Sequence, residues 1–174
     1  QSKIIKYHQN KHHCEMVLDK TPFYAESGGQ VGDTGHLTAD GFNFKVDDVQ
    51  KSGEEYIHLG QITSGKIENI QNVKAKINET RRNAIRRNHT ATHLLHQALK
   101  EILGDHVQQA GSLVGEELLR FDLTHYEQIT SEKITKIENL VNTIILQNLE
   151  LTTKIKPYKD ACNDGAVSLF GEKY

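Results

Sequence analysis

The chain has 174 residues, a formal charge of −2 and 36% hydrophobic residues. That length suffices for one or two hydrophobic cores, and the near-neutral charge excludes a global electrostatic pull toward nucleic acid. Two cysteines, Cys14 and Cys162, are too few for a disulfide framework and point to a reducing compartment, the cytoplasm, while no apolar run approaches the roughly 18 residues of a membrane span and no signal sequence opens the chain.

The chain opens on Gln1 and its only methionine is Met16, which reads as a start inside a longer protein. Up to about residue 80, β-rich runs at Ser2 to Tyr7, Cys14 to Asp19, Phe42 to Val46, Tyr56 to Leu59 and Val73 to Ile77 alternate with turn signals at Gly28-Gly29, Gly35, Asp40-Gly41, Gly53 and Gly65. The expectation is a small antiparallel, barrel-like β unit. Next comes a helix from about Thr80 to Leu103, closed by Gly104. Strands are expected at Gln108 to Val114 and Leu118 to Leu123, then a helix capped by Thr130 or Ser131, in which Ile134, Ile137, Val141, Ile144 and Ile145 recur at helical spacing. Leu151 to Lys156 reads as a further strand that ends at Pro157. The predicted class is α+β: a β-rich subdomain over 1–79, then over 80–174 an α/β sandwich of antiparallel sheet and helices.

The long helix carries the chemistry. His89 and His93 are four residues apart, so they share one face about 5–6 Å apart at Cβ, and both rings can reach one zinc ion at roughly 2.0–2.1 Å. On a helical wheel Ala91, Leu94, Leu95, Ala98, Leu99, Ile102 and Leu103 form one apolar stripe. His89, His93 and His96 project from the other side with Arg82, Arg86 and Lys100. A core role is thereby disfavoured, but a solvated polar face that carries histidine stays open, because zinc takes three or four partners. The basic cluster Arg81, Arg82, Arg86 and Arg87 is local. It reads either as a solvated helix start or as a phosphate-neutralising patch.

Three blocks then point to a family. They are Thr21-Pro22-Phe23-Tyr24-Ala25-Glu26-Ser27-Gly28-Gly29-Gln30-Val31-Gly32-Asp33, the run from His89 to His96 followed by Val107 to Leu113 and Leu119-Arg120-Phe121-Asp122, and the tail Ala166 to Tyr174. In these blocks, and in their order, the chain resembles the editing domains of alanyl-tRNA synthetases. The histidine block also resembles threonyl-tRNA synthetase editing domains, whereas the Ser27 to Gln30 loop and the tail favour the alanine family.

The resemblance implies hydrolysis of the ester of tRNA(Ala) mischarged with serine or glycine, within a cytoplasmic parent enzyme that attaches alanine to tRNA(Ala) with ATP. The physical need is clear: one missing methyl is worth only about 1–3 kcal/mol of discrimination, so a second site must remove the wrong amino acid. The implied cofactor is zinc, held by His89 and His93 with a Cys-x-x-x-His pair downstream of Tyr174. Cys162 does not replace that pair, since the residue four later is Ala166. With half of the cage beyond Tyr174, weak or absent zinc and little activity are expected of this chain by itself. Four filled positions would favour an orienting zinc over a water-activating one.

By the same resemblance Gln109 and Gln30 are the catalytic candidates. Gln109 would hydrogen-bond the serine hydroxyl or the terminal ribose, and a Gly-Gly loop would carry Gln30 toward the same pocket. Thr92 would shape the pocket wall, Gly28 and Gly29 would let backbone approach the substrate, and Arg82 and Arg86 would meet phosphates. Each has a plain alternative: a strand-end glutamine, a surface turn, a packing threonine, a solvated arginine. Phe23 and Tyr24 read as adenine-stacking or as core aromatics. The implied partners are the tRNA(Ala) acceptor end and the remaining synthetase chain in cis, with no DNA and no membrane. Two other readings stand beside this one, a free-standing trans-editing deacylase and a non-catalytic RNA-binding module.

Overall fold

A computed structural model describes residues 1–10 and 13–166; the tail block Ala166 to Tyr174, apart from Ala166 itself, lies outside the described residues. Six strands close a barrel: β1 (Ser2–Gln9), β2 (Cys14–Leu18), β3 (Gly35–Ala39), β4 (Phe42–Ser52), β5 (Glu55–Ser64) and β6 (Asn72–Ile77), in the order β1-β2-β5-β4-β3-β6. All its pairings are antiparallel, and Ser2 opposite Val73 closes the ring between β1 and β6.

Alternation fills the barrel. Phe42, Phe44 and Val46 point inward along β4, where they meet Met16, Leu37 and Val73 in one core. A register shift between Val46 and Asp48 then inserts one residue, so that Val49 also faces the core although it is three residues from Val46. Gly60 sits opposite Val46 because a Cβ there would lie 1.9 Å from the Lys45 carbonyl oxygen.

The α/β region follows: α1 (Glu79–Leu103), a two-stranded sheet of β7 (Gln109–Val114) and β8 (Leu119–Leu123), α2 (Ser131–Leu146) and α3 (Tyr158–Asn163). Asn78 caps α1, its side-chain oxygen accepting the Arg81 amide at 3.1 Å, and at its end the Gly104 amide donates a hydrogen bond to the Lys100 carbonyl. Thr130 caps α2 by accepting the Lys133 amide. By contact density the chain divides into two compact units, residues 1–90 with 113–120, and residues 91–112 with the chain from 121 on. The second unit has its own core of Ala98, Leu99, Val107 and Ile137, flanked by Leu95, Ile102, Phe121 and Leu140.

Three local expectations are corrected. Gly35 opens strand β3 instead of marking a turn. Leu151 to Lys156 forms no strand; it has the composition of one, but it is paired to no sheet edge and its side chains are exposed. Pro157 does not end a strand but precedes α3, which suits its fixed φ.

Candidate functional site

Within the first unit, the loop from Lys20 to Thr34 is held at many points. The Tyr24 amide donates to Asp33 Oδ2 at 2.7 Å, and the Asp33 amide returns a bond to the Tyr24 carbonyl. Asp33 is only 2% exposed, and its charge is met by Arg82, whose Nε lies 2.9 Å from Oδ1 and whose terminal nitrogen bonds both Asp33 and the Pro22 carbonyl. The hydrogen bond from Arg82 to Asp33 holds that guanidinium protonated beyond its ordinary range. Arg81 donates to the Gly32 carbonyl at 2.7 Å and pairs with Glu116. Two of the four arginines of the basic cluster therefore clasp the loop to α1, while Arg86 and Arg87 are exposed.

The loop's tip is a tight turn in which Gly28 and Gly29 both take positive φ, +57° and +80°, a region L side chains rarely adopt. Ser27 and Gln30 exchange backbone hydrogen bonds across it, and the Gly29 carbonyl and Val31 amide pair with both backbone groups of Val114. The turn is thus sewn to the end of β7. This arrangement buries Gln30 at 7% exposure and brings its Oε1 to 2.7 Å from Nδ1 of His89. The Asn88 side chain donates to the Gly115 carbonyl at 2.8 Å beside it.

The two aromatics of the loop do not behave alike. Phe23 is buried in the barrel core, edge-on to the ring of His58 at 5.3 Å between centroids. It is thereby removed from any stacking role. Tyr24 is half-buried, and its hydroxyl donates to the Ser27 carbonyl, which ties it to its own turn.

On α1, His89 is half-buried, Thr92 is buried and His93, one turn after His89, is exposed. His96 departs from the polar face assigned to it: its ring lies 5.0 Å from that of Phe121 and its Nε2 is buried. Burial lowers its pKa from the ordinary value near 6.5, with help from Lys100 and His93. Gln109 is half-buried at the start of β7 and donates to the Ser112 hydroxyl at 3.3 Å. Both cysteines are free, Cys14 buried and Cys162 exposed on α3.

The side-chain oxygen of Gln30, 2.7 Å from Nδ1 of His89, is an acceptor for a proton on that nitrogen. Among the described residues no group of three or more His, Cys, Asp or Glu side chains could hold a metal ion. The pair of His89 and His93 is at most half of a cage. Also among the described residues, no helix is long and apolar enough to cross a membrane.

Comparison with known proteins gives a consistent picture. The sequence pattern of tRNA synthetases class II (A) matches residues 1–81. The alanine–tRNA ligase of Thermoanaerobacter sp. (strain X514) is 54% identical over 159 residues, which are 91% of this chain and 18% of that ligase. The alanine–tRNA ligase of Legionella pneumophila (strain Lens) is 52% identical over the same shares. The chain therefore spans under a fifth of the length of the curated relatives it matches.

Proposed function

From a chain that belongs to the alanine–tRNA ligase family of class II tRNA synthetases, we propose an editing segment that hydrolyses the ester of tRNA(Ala) mischarged with serine or glycine. The parent enzyme would attach alanine to tRNA(Ala) with ATP in the cytoplasm, and this segment would act in cis on the acceptor end. The observation that carries the reading is the histidine pair of α1, with Nδ1 of His89 2.7 Å from the side-chain oxygen of the buried Gln30.

In this proposal His89 and His93 would hold zinc together with a Cys-x-x-x-His pair that the resemblance implies downstream, and the metal would supply Lewis acidity or orientation at the ester. The amide of Gln109 bonds either the serine hydroxyl, a hydrogen bond that alanine cannot make and that selects serine, or the terminal ribose, which positions the ester without selecting the amino acid. The Gly28-Gly29 turn offers close backbone approach, and Thr92 packs the wall of the site. Arg86 neutralises phosphate with Arg87; Arg82 contributes through its hold on Asp33.

A second reading is a non-catalytic RNA-binding module, and one observation favours it: the described residues hold no complete metal-ligand group, while the fold and the exposed Arg86 and Arg87 are in place. On this geometry it asks for less than hydrolysis does. A free-standing trans-editing deacylase would use the same chemistry and differs only in what the chain is joined to.

One experiment separates binding from hydrolysis. The chain extended through the downstream Cys-x-x-x-His pair is mixed with seryl-tRNA(Ala), and both complex formation and released serine are followed. Hydrolysis well above the uncatalysed rate, and little from the chain ending at Tyr174, is the expected result. Binding without hydrolysis, with metal confirmed present, would leave the RNA-binding module in its place.

A further inference from the structure

The barrel presents one face whose charge runs against the net charge of −2. On β3 and β6 the outward residues alternate with the core residues Leu37 and Val73, so His36, Thr38, Lys74 and Lys76 point away from the core. The register sets them in two rungs. Lys45 of β4, His36 of β3 and Lys76 of β6 lie directly opposite one another, and Asn43, Thr38 and Lys74 do so two residues on. With strands about 4.8 Å apart and a rise of about 3.4 Å per residue, the patch is about 10 Å across and its rungs are about 7 Å apart. β3 and β6 contain no Asp or Glu. Lys45 pairs with Asp47 at 2.8 Å, whereas among the described residues Lys74 and Lys76 have no ion-pair partner. Along these strands the acids fall at the rims, Asp47 and Glu79 beyond the first rung and Asp40 in the hairpin beyond the second. From the first rung the face continues into a groove of about 460 Å³ that Asn78, Glu79 and Thr80 at the start of α1 close.

We propose that this face is a further phosphate-contact surface for RNA, at which Lys74 and Lys76 each meet a phosphate of one strand while His36 and Thr38 offer hydrogen bonds beside them. Two unpaired ammonium groups two residues apart on one strand repel each other, and a polyanion laid along them removes that repulsion. The outward residues of both rungs are histidine, threonine, asparagine and lysine, with no aliphatic or aromatic side chain among them. An acidic polypeptide would need an apolar centre to its interface, whereas contact to a nucleic-acid backbone needs only cations and hydrogen-bonding groups in register. The inference rests on tRNA as the partner, which both readings of the function share. It depends neither on metal nor on hydrolysis.

Fluorescence anisotropy of a tRNA(Ala) transcript with the whole chain, across a salt series, tests it. Lys74→Gln with Lys76→Gln should weaken binding and lower the salt slope by up to about 1.8, at roughly 0.7–0.9 per contact. Lys74→Arg with Lys76→Arg should hold both. Lys20→Gln with Lys51→Gln makes the same change in net charge at exposed positions outside the patch and should leave the slope as it is. The midpoint of urea unfolding should not fall in the patch variant, since no partnered charge is removed. An unchanged slope in the patch variant, where Arg86→Gln with Arg87→Gln does lower it, overturns this surface and leaves the proposed function standing. An equal fall with Lys20→Gln and Lys51→Gln reduces the effect to net charge and overturns it too. Polyglutamate binding more tightly than the transcript at equal salt would make the partner an acidic polypeptide instead. No binding of the transcript to the wild-type chain would overturn this surface and the tRNA reading together.

Discussion

His58 lies wholly inside the barrel and is neutral by its bonding: Nδ1 donates to the Met16 carbonyl at 3.0 Å, while Nε2 accepts from the Thr21 hydroxyl at 2.7 Å. Thr21 Oγ1 in turn accepts the Phe23 amide, so this histidine anchors the start of the glycine loop. Burial lowers its pKa from the ordinary value near 6.5, against the raising effect of the Met16 and Tyr56 carbonyls. A base with a depressed folded pKa binds protons more weakly in the native state than in the unfolded chain. Its stabilisation is complete above about pH 6.5 and is lost as pH falls through the lower folded value. His58→Gln can keep both hydrogen bonds without titrating. Urea unfolding should show a flatter acid limb in that variant; equal slopes would mean that His58 is not the titrating group.

Arg82 was legible in the sequence only as a charge. Its partner Asp33 stands 49 residues away, and no local pattern links them. Removing the guanidinium leaves a buried carboxylate with the Tyr24 amide as a remaining donor. Arg82→Ala should therefore cost about 3 kcal/mol, the lower end of the range for breaking a buried pair. Arg82→Ala with Asp33→Asn should recover part of that loss. A cost near zero in the single variant would show that water already screens the pair. Gln30 teaches the same lesson: a Gly-Gly turn looks mobile in sequence, and only tertiary bonds to Val114 and His89 reveal that it is held.

At the scale of elements, periodicity served best where one face is buried. β4, α1 and α2 were legible from spacing because their apolar residues meet a core. It failed for Leu151 to Lys156, where alternating composition has no neighbouring strand to pair with. It also failed for His96, because a helical wheel gives angles but not the width of the buried stripe, and Phe121 reaches round to cover that ring. Asn78 could have been found as the α1 cap, since it directly precedes Glu79 in the first turn. α1 also divides its arginines: Arg81 and Arg82 are committed to the loop, so under the proposed function phosphate contacts would fall to the exposed Arg86 and Arg87. Replacing both with glutamine should reduce the salt slope of tRNA binding by up to about 1.8, at roughly 0.7–0.9 per contact. Stability should change little. An unchanged slope would return both side chains to an ordinary solvated face.

For the whole molecule, the closed barrel of the first unit supplies rigidity, and the loop between β2 and β3 holds Gln30 beside His89 within that unit. The most direct trial of the editing account is single-turnover release of the amino acid from seryl-tRNA(Ala) and alanyl-tRNA(Ala), using the chain extended through the Cys-x-x-x-His pair. Serine should leave much faster than alanine. Gln109→Ala should slow serine release without unfolding the protein, and His93→Ala should slow it further and lower the bound zinc. Equal release of serine and alanine at the uncatalysed rate, from folded protein with zinc bound, would contradict the account.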